Sequence, residues 1–393
     1  MPDSFSEVTG ESWFGRLFDS IKSVLFGLLL FFVSFFVLFW NEGRAVHTAR
    51  SLEEGAAVVV SAPADTVTPA NDGKMVHVSG EATTTETLSD ADFGVSAPAI
   101  RLERVPQMFQ WEEKKSSETH KKLGGGTETV TTYNYSTGWS EKLIDSSTFK
   151  QAGGHENPRT MPVSAQNWTA KKVTLGGFTL ADSQVAMLNK KEPIAIDDTA
   201  AQALPPAMKA RVKVDNGVYY LGKDPAAPAV GDTKVLFQVV RPATVSLVAR
   251  QVGSSFEPYQ AKAGDSINLL SYGALSADSM FKSAEEANNM LAWILRGVGF
   301  FMNALGLFLI FRPIAVFGDV IPLFGSVLAG GIGLACFLLA AFLSLVTIAV
   351  GWIAYRPVVG IGLLVVAAAA VFGMIKLASK HKGEAPKANA AGA

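Results

Sequence analysis

The sequence contains little cysteine and little charge, and each shortage excludes a class of protein. Cys336 is the single cysteine among 393 residues, so no intramolecular disulfide stabilises the fold. Charged residues make up 18% of the chain, and the formal net charge is -1. A protein that neutralises nucleic-acid phosphates needs an excess of lysine and arginine. We therefore expect no nucleic acid among the partners of this chain.

The sequence also lacks the motifs of familiar metal and catalytic sites. Its five histidines stand far apart, and none forms an HExxH motif or another pair at ligand spacing. No GxSxG nucleophile motif is present. Carboxylates are plentiful in the middle of the chain, where they include Asp90, Asp92, Glu112, Glu113, Asp145, Glu156, Asp197 and Asp198. Because nothing in the sequence separates a catalytic pair from surface acids, we expect no catalytic residue, no metal and no cofactor.

Two short motifs are interpreted as turns. The glycines Gly124–Gly126 follow a charged stretch, but no lysine and helix follow them, so a turn is favoured over a phosphate-binding loop. The GHENP segment at Gly154–Pro158 combines glycine, asparagine and proline, which is typical of a compact turn. We assign structural rather than chemical roles to both motifs.

Long apolar runs lie near both ends of the sequence. Residues 21–40 form a run of about 20 residues, and at about 1.5 Å per residue a helix of this length matches the hydrocarbon thickness of a bilayer. Lys22 and Trp40 flank it as interfacial residues do. The alternative is a cleaved signal peptide, but this run is longer and bulkier than a usual signal core. We predict a first transmembrane helix.

Three further spans are predicted near the other end. Residues 291–311 form the second, and its Arg296 either marks a functional pairing or snorkels to the interface, which we favour. Asp319 and Pro322 interrupt residues 312–327, so we predict an interfacial connector there. Residues 328–355 form the third span, which Arg356 and Pro357 end, and residues 358–375 form the fourth. We predict a disordered cytoplasmic tail at residues 376–393.

Four spans place both termini on one face of the membrane and the middle of the chain on the other. Arg16, Lys22, Arg312 and the tail lysines slightly outnumber the cations near the membrane on the opposite face. The positive-inside rule therefore favours a short cytoplasmic N-terminus at residues 1–20 and a lumenal or periplasmic domain at residues 41–290.

The predicted domain at residues 41–290 is rich in β-structure. Short runs of β-branched and aromatic residues, such as KMVHVSG and KVLFQVV, alternate with Gly, Pro, Asn and Asp. Helices are plausible at residues 183–190 and 199–211, and residues 277–290 are predicted to lead as a helix into the second span. The fold class is therefore a membrane protein with one N-terminal and three C-terminal transmembrane helices and a large inserted α+β, β-rich domain.

An ordered set of segments resembles the transmembrane protein 43 family, also called LUMA. The segments are NEGRA at Asn41–Ala45, SLEEG at Ser51–Gly55, VHVSG at Val76–Gly80, LSDADFGVSAPAIRLER at Leu88–Arg104, MFQWEE at Met108–Glu113, YNYSTGWSEKLIDSSTF at Tyr133–Phe149, GHENP, VGDTKVLF at Val230–Phe237, VARQ at Val248–Gln251 and GWIAYRP at Gly351–Pro357. The residues that we single out as motif or membrane-interface positions are Asn41, Glu42, Gly43, Arg44, Arg296, Gly351, Trp352, Tyr355, Arg356 and Pro357.

The resemblance implies four spans and a domain in the lumen of the endoplasmic reticulum and nuclear envelope, as in animal members. In an animal host it implies emerin and lamins as partners. In a prokaryotic host the protein would lie in the inner membrane with a periplasmic or exterior domain, and those partners would not exist. The resemblance supplies no catalytic residue.

Three functions are therefore weighed. The first is a non-enzymatic membrane organiser that binds partner proteins through its domain and forms homo-oligomers in the lipid bilayer. The second is a channel or transport component, in which Arg296 and small residues line a path. The third is a membrane-tethered enzyme acting on lipid or envelope material. We favour the first, because few charges lie within the predicted spans and no catalytic constellation is visible.

Overall fold

The computed structural model describes residues 3–202, 204–320 and 322–358. The predicted tail, and the predicted fourth span apart from Val358, lie outside the described residues. The described chain divides into two compact units. The first, the β unit, comprises residues 3–11, 51–122 and 127–285. The second, the helical unit, comprises residues 12–50, 123–126 and those from 286 onward.

Nineteen strands are present in the described residues. They are β1 Asp3–Glu11, β2 Val60–Ser61, β3 Met75–Thr83, β4 Thr87–Asp90, β5 Val95–Pro98, β6 Arg101–Lys121, β7 Thr127–Ser140, β8 Gln166–Thr169, β9 Thr174–Leu175, β10 Phe178–Thr179, β11 Glu192–Ile194, β12 Lys213–Asp215, β13 Val218–Leu221, β14 Thr233–Val240, β15 Ala243–Val252, β16 Ser255–Glu257, β17 Tyr259–Gln260, β18 Ser266–Ile267 and β19 Leu269–Tyr272.

Six α-helices accompany these strands within the described ranges. They are α1 Trp13–Val58, α2 Asp182–Met187, α3 Asp198–Gln202, α4 Pro206–Lys209, α5 Ala277–Gly318 and α6 Pro322–Tyr355. Three of these helices contain segments long and apolar enough to cross a membrane, namely Trp13–Val58, Ala277–Gly318 and Ser326–Tyr355. The chain is therefore a membrane protein with a β-rich region, as the sequence indicates.

The β unit is built on two large sheets. The first has the order β1-β7-β6-β14-β13-β12, with β8 and β11 paired at its side. The second has the order β19-β15-β16-β10-β9-β3-β2, and β15 also pairs with β3. Alternate residues of β6 from Leu102 to Gln110 are buried, as expected for a strand with one face on a core. The main core contains Tyr219, Phe237 and Phe178 among its largest fully buried side chains.

β6 and β7 form a long hairpin whose far end is polar. β6 is uninterrupted from Arg101 to Lys121, and its last eight residues, from Lys114, are exposed on both faces. The turn after it contains Gly124 and Gly125 with φ of 87° and 81°, a left-handed conformation that glycine adopts without steric cost. The Gly124–Gly126 segment is thus in a turn, as the sequence predicts.

The N-terminal strand was not predicted from the sequence, which assigned residues 1–20 only to a short cytoplasmic segment. In the structure, β1 pairs antiparallel with β7 over nine residues, from Asp3 opposite Tyr135 to Glu11 opposite Thr127. This pairing was not predictable from local pattern, because β1 is exposed on both faces and shows no alternation of apolar and polar residues.

The helical unit contains long helices packed at small residues. Gly27 of α1 and Gly306 of α5 lie against each other, because a Cβ atom at Gly306 would stand 2.9 Å from the Gly27 carbonyl oxygen. Close to this contact, the Asn303 amide donates to the Ser34 hydroxyl at 3.0 Å. α6 packs against the other two helices at an apolar cluster that includes Leu307, Cys336 and Ala340.

The helices are longer than the predicted spans, and they extend into residues 312–327, where an interfacial connector is predicted. α5 continues through Pro313 to Gly318, and α6 begins at Pro322. A proline is tolerated inside a helix in an apolar environment when neighbouring groups compensate the lost hydrogen bond. The interruption that Asp319 and Pro322 predict therefore lies between the end of α5 at Gly318 and the start of α6 at Pro322.

Candidate functional site

The site with the most concentrated buried charge lies in the helical unit and centres on Glu42. Its carboxylate accepts hydrogen bonds from Arg296 Nε at 2.7 Å and from Arg296 Nη2 at 2.8 Å. The indole Nε1 of Trp352 donates to Glu42 Oε2 at 2.8 Å. The side chain of Glu42 is 3% exposed and that of Arg296 is 15% exposed. A buried ion pair is retained only when such additional hydrogen bonds satisfy it.

Arg296 is also enclosed by aromatic rings. Its guanidinium carbon lies 4.8 Å from the ring centroid of Trp293 and 5.8 Å from that of Trp352. Guanidinium groups are attracted to aromatic faces at such distances. Arg296 was expected to snorkel to the interface, whereas in the structure its guanidinium pairs with the Glu42 carboxylate.

Asn41 and Arg44 attach the same part of α1 to α5. The Asn41 amide donates to the Ala292 carbonyl at 3.0 Å, and Arg44 Nη1 donates to Asn288 Oδ1 at 2.8 Å. Asn288 returns a hydrogen bond from its Nδ2 to the Ala45 carbonyl at 3.0 Å. The NEGRA motif thus supplies side-chain and main-chain groups that fix the register of two helices.

Glycines of two motifs make room for the larger side chains of the site. A Cβ atom at Gly43 would stand 2.7 Å from the Tyr355 ring, and one at Gly351 would stand 3.0 Å from Glu42 Cβ. Both positions therefore require the absence of a side chain. Arg50 Nη2 donates to the Tyr355 carbonyl at 2.9 Å and so satisfies a carbonyl at the end of α6.

The predicted motif positions fall into two groups. Asn41, Glu42, Gly43, Arg44, Arg296, Gly351, Trp352 and Tyr355 come together in the contacts described above. Arg356 and Pro357 are exposed, and Arg356 contributes a main-chain hydrogen bond from its N–H to the Trp352 carbonyl at 2.7 Å. Glu42, Arg296 and Trp352 join α1, α5 and α6 through these hydrogen bonds, and we call this contact the Glu42 clamp.

A second polar constellation lies in the β unit around His155 of the GHENP segment. His155 Nε2 lies 2.7 Å from Asp3 Oδ2, and Nδ1 lies 2.8 Å from the Gln151 carbonyl. The imidazole stacks on Tyr135 with ring centroids 4.0 Å apart and meets Trp111 edge to face at 4.7 Å. Burial opposes protonation, but the hydrogen bonds with Asp3 and Gln151 outweigh it and raise the pKa of His155.

Asn157 explains the structural role predicted for GHENP. Its side-chain oxygen accepts from the Trp111 N–H at 2.7 Å, and its amide donates to the Trp111 carbonyl at 2.9 Å. The Asn157 side chain therefore satisfies both main-chain groups of Trp111, as a neighbouring strand would do. A cavity of about 570 Å³ adjoins this segment and is lined by residues that include Asp145, Glu156 and Arg159.

A third constellation, around Arg104, was missed in the sequence. Arg104 Nη1 lies 2.8 Å from Asp90 Oδ2 and 3.0 Å from Asp92 Oδ2, and its Nε donates to the Ser164 carbonyl at 3.0 Å. Burial raises the pKa of Asp90, although the charge of Arg104 acts in the opposite direction. The guanidinium also lies 5.2 Å from the ring centroid of Phe93.

The sequence contained a signal for this third site. All three charged residues lie in the single motif LSDADFGVSAPAIRLER, but the intervening hairpin of β4 and β5, which brings the acids back to the arginine, was not recognised. Among the described residues, no group of three or more His, Cys, Asp or Glu side chains is placed to hold a metal ion.

The described residues define a class: a membrane protein in which long apolar helices, held by a buried Glu–Arg–Trp clamp, accompany a two-sheet β unit. The model of the transmembrane protein 43 family matches residues 108–357. The chain belongs to this family.

Individual relatives support the assignment over most of the chain. Transmembrane protein 43 of Mus musculus is 34% identical over 355 residues, which cover 87% of this chain and 86% of the relative. The Homo sapiens protein is 33% identical over 353 residues, with the same coverage. The homolog of Drosophila melanogaster is 29% identical over 356 residues, covering 88% of this chain and 92% of the relative. No solved structure matches the chain.

Proposed function

We propose that this protein is a non-enzymatic membrane organiser whose β unit binds partner proteins. The Glu42 clamp is the observation that carries the proposal. It commits the carboxylate to Arg296 and Trp352 within the helical unit, so its charges serve to hold helices together. A carboxylate with this set of partners is poorly suited to act as an ion ligand, because an ion would displace a buried hydrogen bond.

The apolar helices determine the first proposed partner, and the host cell determines the others. The lipid bilayer is the first partner, and proteins of the same membrane are the second. In an animal cell, emerin and lamins are the partners that we propose, with the endoplasmic reticulum and inner nuclear membrane as the location. In a prokaryote, the location is the inner membrane and the partners are envelope proteins. Self-association is included, since Gly330 and Gly331 of α6 adjoin open space among the described residues.

Site-specific photocrosslinking in native membranes tests partner binding. A photoreactive amino acid is placed at exposed positions of the β unit, Leu143 and Val252, and at Phe26 of the helical unit as the matched control. We expect adducts with other proteins from the β-unit positions and adducts with lipid from Phe26. The absence of protein adducts from the β-unit positions, with the chain intact in the membrane, argues against the organiser.

A channel or transport component is the second candidate, and the buried polar pair of Asn303 and Ser34 between apolar helices is the observation that favours it. Purified protein in liposomes decides between the two. Ion flux that is abolished by the double variant Glu42→Leu with Arg296→Leu, which removes both charges of the buried pair, supports the channel when folding is preserved. Flux equal to that of empty liposomes supports the organiser.

A further inference from the structure

A cavity in the β unit has a buried arginine in its wall. Its volume is about 480 Å³, which lies within the range of small-molecule sites in proteins. Three segments surround it, namely the turn between β4 and β5, the residues that precede β8 and the helix α4. Most of the lining side chains are apolar, and they include Phe93, Val163, Pro205 and Met208. The charged groups in the wall are Arg104 and Asp92. A mainly apolar cavity with a few charged groups is typical of a ligand site.

Arg104 is fixed in this wall by the fold. It lies on the core-facing side of β6, and its side chain is 3% exposed. Nε donates to the Ser164 carbonyl and Nη2 donates to Gln166 Oε1, both at 3.0 Å. Nη1 donates to Asp90 Oδ2 at 2.8 Å, and the Asp90 side chain is 1% exposed. The buried carboxylate of Asp90 therefore already neutralises the guanidinium, as a buried charge requires.

Asp92 supplies a second carboxylate to the same nitrogen from the solvent side. Its Oδ2 lies 3.0 Å from Arg104 Nη1, yet its side chain is 69% exposed. The main-chain N–H of Asp92, rather than its carboxylate, forms the hydrogen bond with Asp90 Oδ1 at 2.9 Å. The Asp92 carboxylate can therefore turn into water without breaking this bond, and an exposed ion pair contributes little to stability. Asp92 thus places a replaceable carboxylate where Arg104 lines the cavity.

Arg104 also has hydrogen-bonding capacity left. A guanidinium group carries five N–H donors. Within the part of the chain that the structure describes, the contacts of Arg104 use the hydrogen of Nε, both hydrogens of Nη1 and one hydrogen of Nη2. One donor of a buried cation is therefore left for a ligand.

We propose that this cavity binds a small carboxylic acid with an apolar body. The ligand carboxylate takes the place of Asp92 at Arg104, and the apolar body lies against Phe93 and Met208. A singly charged carboxylate leaves the charge around Arg104 unchanged, whereas a phosphate dianion would bring an extra negative charge to a guanidinium that Asp90 already neutralises. An ammonium group would have to approach the buried guanidinium, which repels it. The proposal concerns a small molecule and is independent of the partner proteins proposed above.

Protection of a thiol in the full-length protein provides the first test. In a Cys336→Ala background, Ala207→Cys places a thiol in the cavity wall, and Ser254→Cys places an exposed thiol elsewhere on the β unit. We expect octanoate to slow the reaction of Ala207→Cys with a maleimide, and we expect octylamine and octanol, which share its apolar chain, to slow it far less. Ser254→Cys controls for partition of these amphiphiles into detergent or lipid and should react at one rate with all three. Equal protection by octylamine or octanol, or no protection by octanoate, overturns the proposal.

The charge of Asp92 gives a second test, whose sign separates an anionic from a cationic ligand. In the Ala207→Cys background, Asp92→Asn removes the competing carboxylate. The concentration of octanoate that gives half-maximal protection should fall by about twofold to fivefold, because an exposed ion pair competes only weakly for the cation. Asp182→Asn, at an exposed acid on α2, should leave this concentration unchanged. An unchanged or higher concentration for Asp92→Asn overturns the proposal.

Two further variants separate loss of the site from loss of the fold. Arg104→Met removes the cation and should abolish protection, but it also leaves Asp90 buried without its partner. Ser164→Trp fills the cavity from an exposed position and keeps the carbonyl that accepts from Arg104 Nε. It should abolish protection while the midpoint of urea unfolding, followed by circular dichroism, stays close to that of the parent. Protection by octanoate that survives Ser164→Trp overturns the proposal.

Discussion

The carboxylate of Glu42 receives two hydrogen bonds from Arg296, which lies 254 positions away in the sequence. The two residues belong to α1 and α5, and Trp352 of α6 completes the contact from 310 positions beyond Glu42. Three helices that are remote in sequence therefore meet at one buried carboxylate. The contribution of this contact to the free energy of unfolding depends on the charges of both Glu42 and Arg296.

The first prediction is that Glu42→Gln destabilises the helical unit strongly. Removing one partner of a buried ion pair leaves an uncompensated charge, which typically costs about 3–5 kcal/mol. The amide of glutamine restores at most part of the hydrogen bonding to Arg296. Thermal unfolding of the purified protein in detergent should show a lower midpoint than the wild type.

Two variants control this experiment. Glu53→Gln changes an exposed carboxylate on the same helix and should leave the midpoint nearly unchanged. The double variant Glu42→Leu with Arg296→Leu removes both charges and should recover much of the loss, since an apolar pair often replaces a buried ion pair at little cost. Equal destabilisation by Glu53→Gln would show that the buried pair is not the cause.

The second prediction concerns the close approach of α1 and α5. Gly306→Ala would place a Cβ atom 2.8 Å from the Phe31 nitrogen and 2.9 Å from the Gly27 carbonyl oxygen, which are main-chain atoms that cannot rotate away. Overpacking of this kind typically costs about 1–3 kcal/mol. Gly297→Ala on the same helix adds a methyl group in open space and is the matched control. A lower unfolding midpoint is expected for Gly306→Ala alone.

Much of this organisation was readable in the sequence. Long apolar runs predicted the helices, and short runs rich in β-branched and aromatic residues predicted the β-rich character of the middle of the chain. The NEGRA and GWIAYRP segments, which were singled out by their resemblance to the family, contain Glu42 and Trp352 of the Glu42 clamp. The pairing partner of Arg296 was not predictable, since hydropathy indicates that a charge is unusual but does not indicate which residue neutralises it.

The polar part of the fold was the least predictable. β1 has no apolar face, so only its hydrogen bonds to β7 and the contacts of Asp3 and Glu7 define it as a strand. Arg104 and Asp90 were recognised as charged residues without any indication that they meet in the interior. Such long-range pairings depend on tertiary geometry, which local propensity does not encode.

The third prediction is that Arg104→Met destabilises the β unit in a manner that depends on pH. The change leaves Asp90 buried without its cation, at a cost of about 3–5 kcal/mol at neutral pH. Burial already raises the pKa of Asp90, and without Arg104 that pKa should rise further. As the pH falls toward 5, Asp90 becomes protonated in the folded variant and its buried charge disappears. The destabilisation caused by Arg104→Met should therefore become smaller at low pH.

Urea unfolding followed by tryptophan fluorescence at pH 5 and pH 7.5 measures this difference. Asp92→Asn is the control, because the Asp92 side chain is 69% exposed and contributes to the same arginine from the solvent side. Asp92→Asn should lower the free energy of unfolding only slightly at either pH. A loss for Arg104→Met that is identical at both pH values would contradict the role assigned to Asp90.

The fourth prediction is that His155 stabilises the attachment of β1 more at acidic than at alkaline pH. The hydrogen bonds with Asp3 and Gln151 raise the pKa of His155 above its ordinary value of about 6.5 despite the opposing effect of burial. Because the folded state binds the proton more tightly than the unfolded state, this stabilisation is fully present below the ordinary pKa. It is lost as the pH rises through the raised pKa.

The difference in unfolding midpoint between the wild type and His155→Gln should therefore be largest near pH 5.5 and smaller at pH 8.5. The other groups near the imidazole are Glu156, Tyr135 and Trp111, and of these Glu156 favours the same protonated form. Asp3→Asn should reduce the pH dependence, since it removes the carboxylate that accepts from Nε2. His120→Gln, at a largely exposed histidine on β6, should reproduce the wild-type profile. If the difference in unfolding midpoint between the wild type and His155→Gln is the same at pH 5.5 and pH 8.5, the contribution of His155 to stability does not depend on its protonation. The imidazole is then not the titrating group.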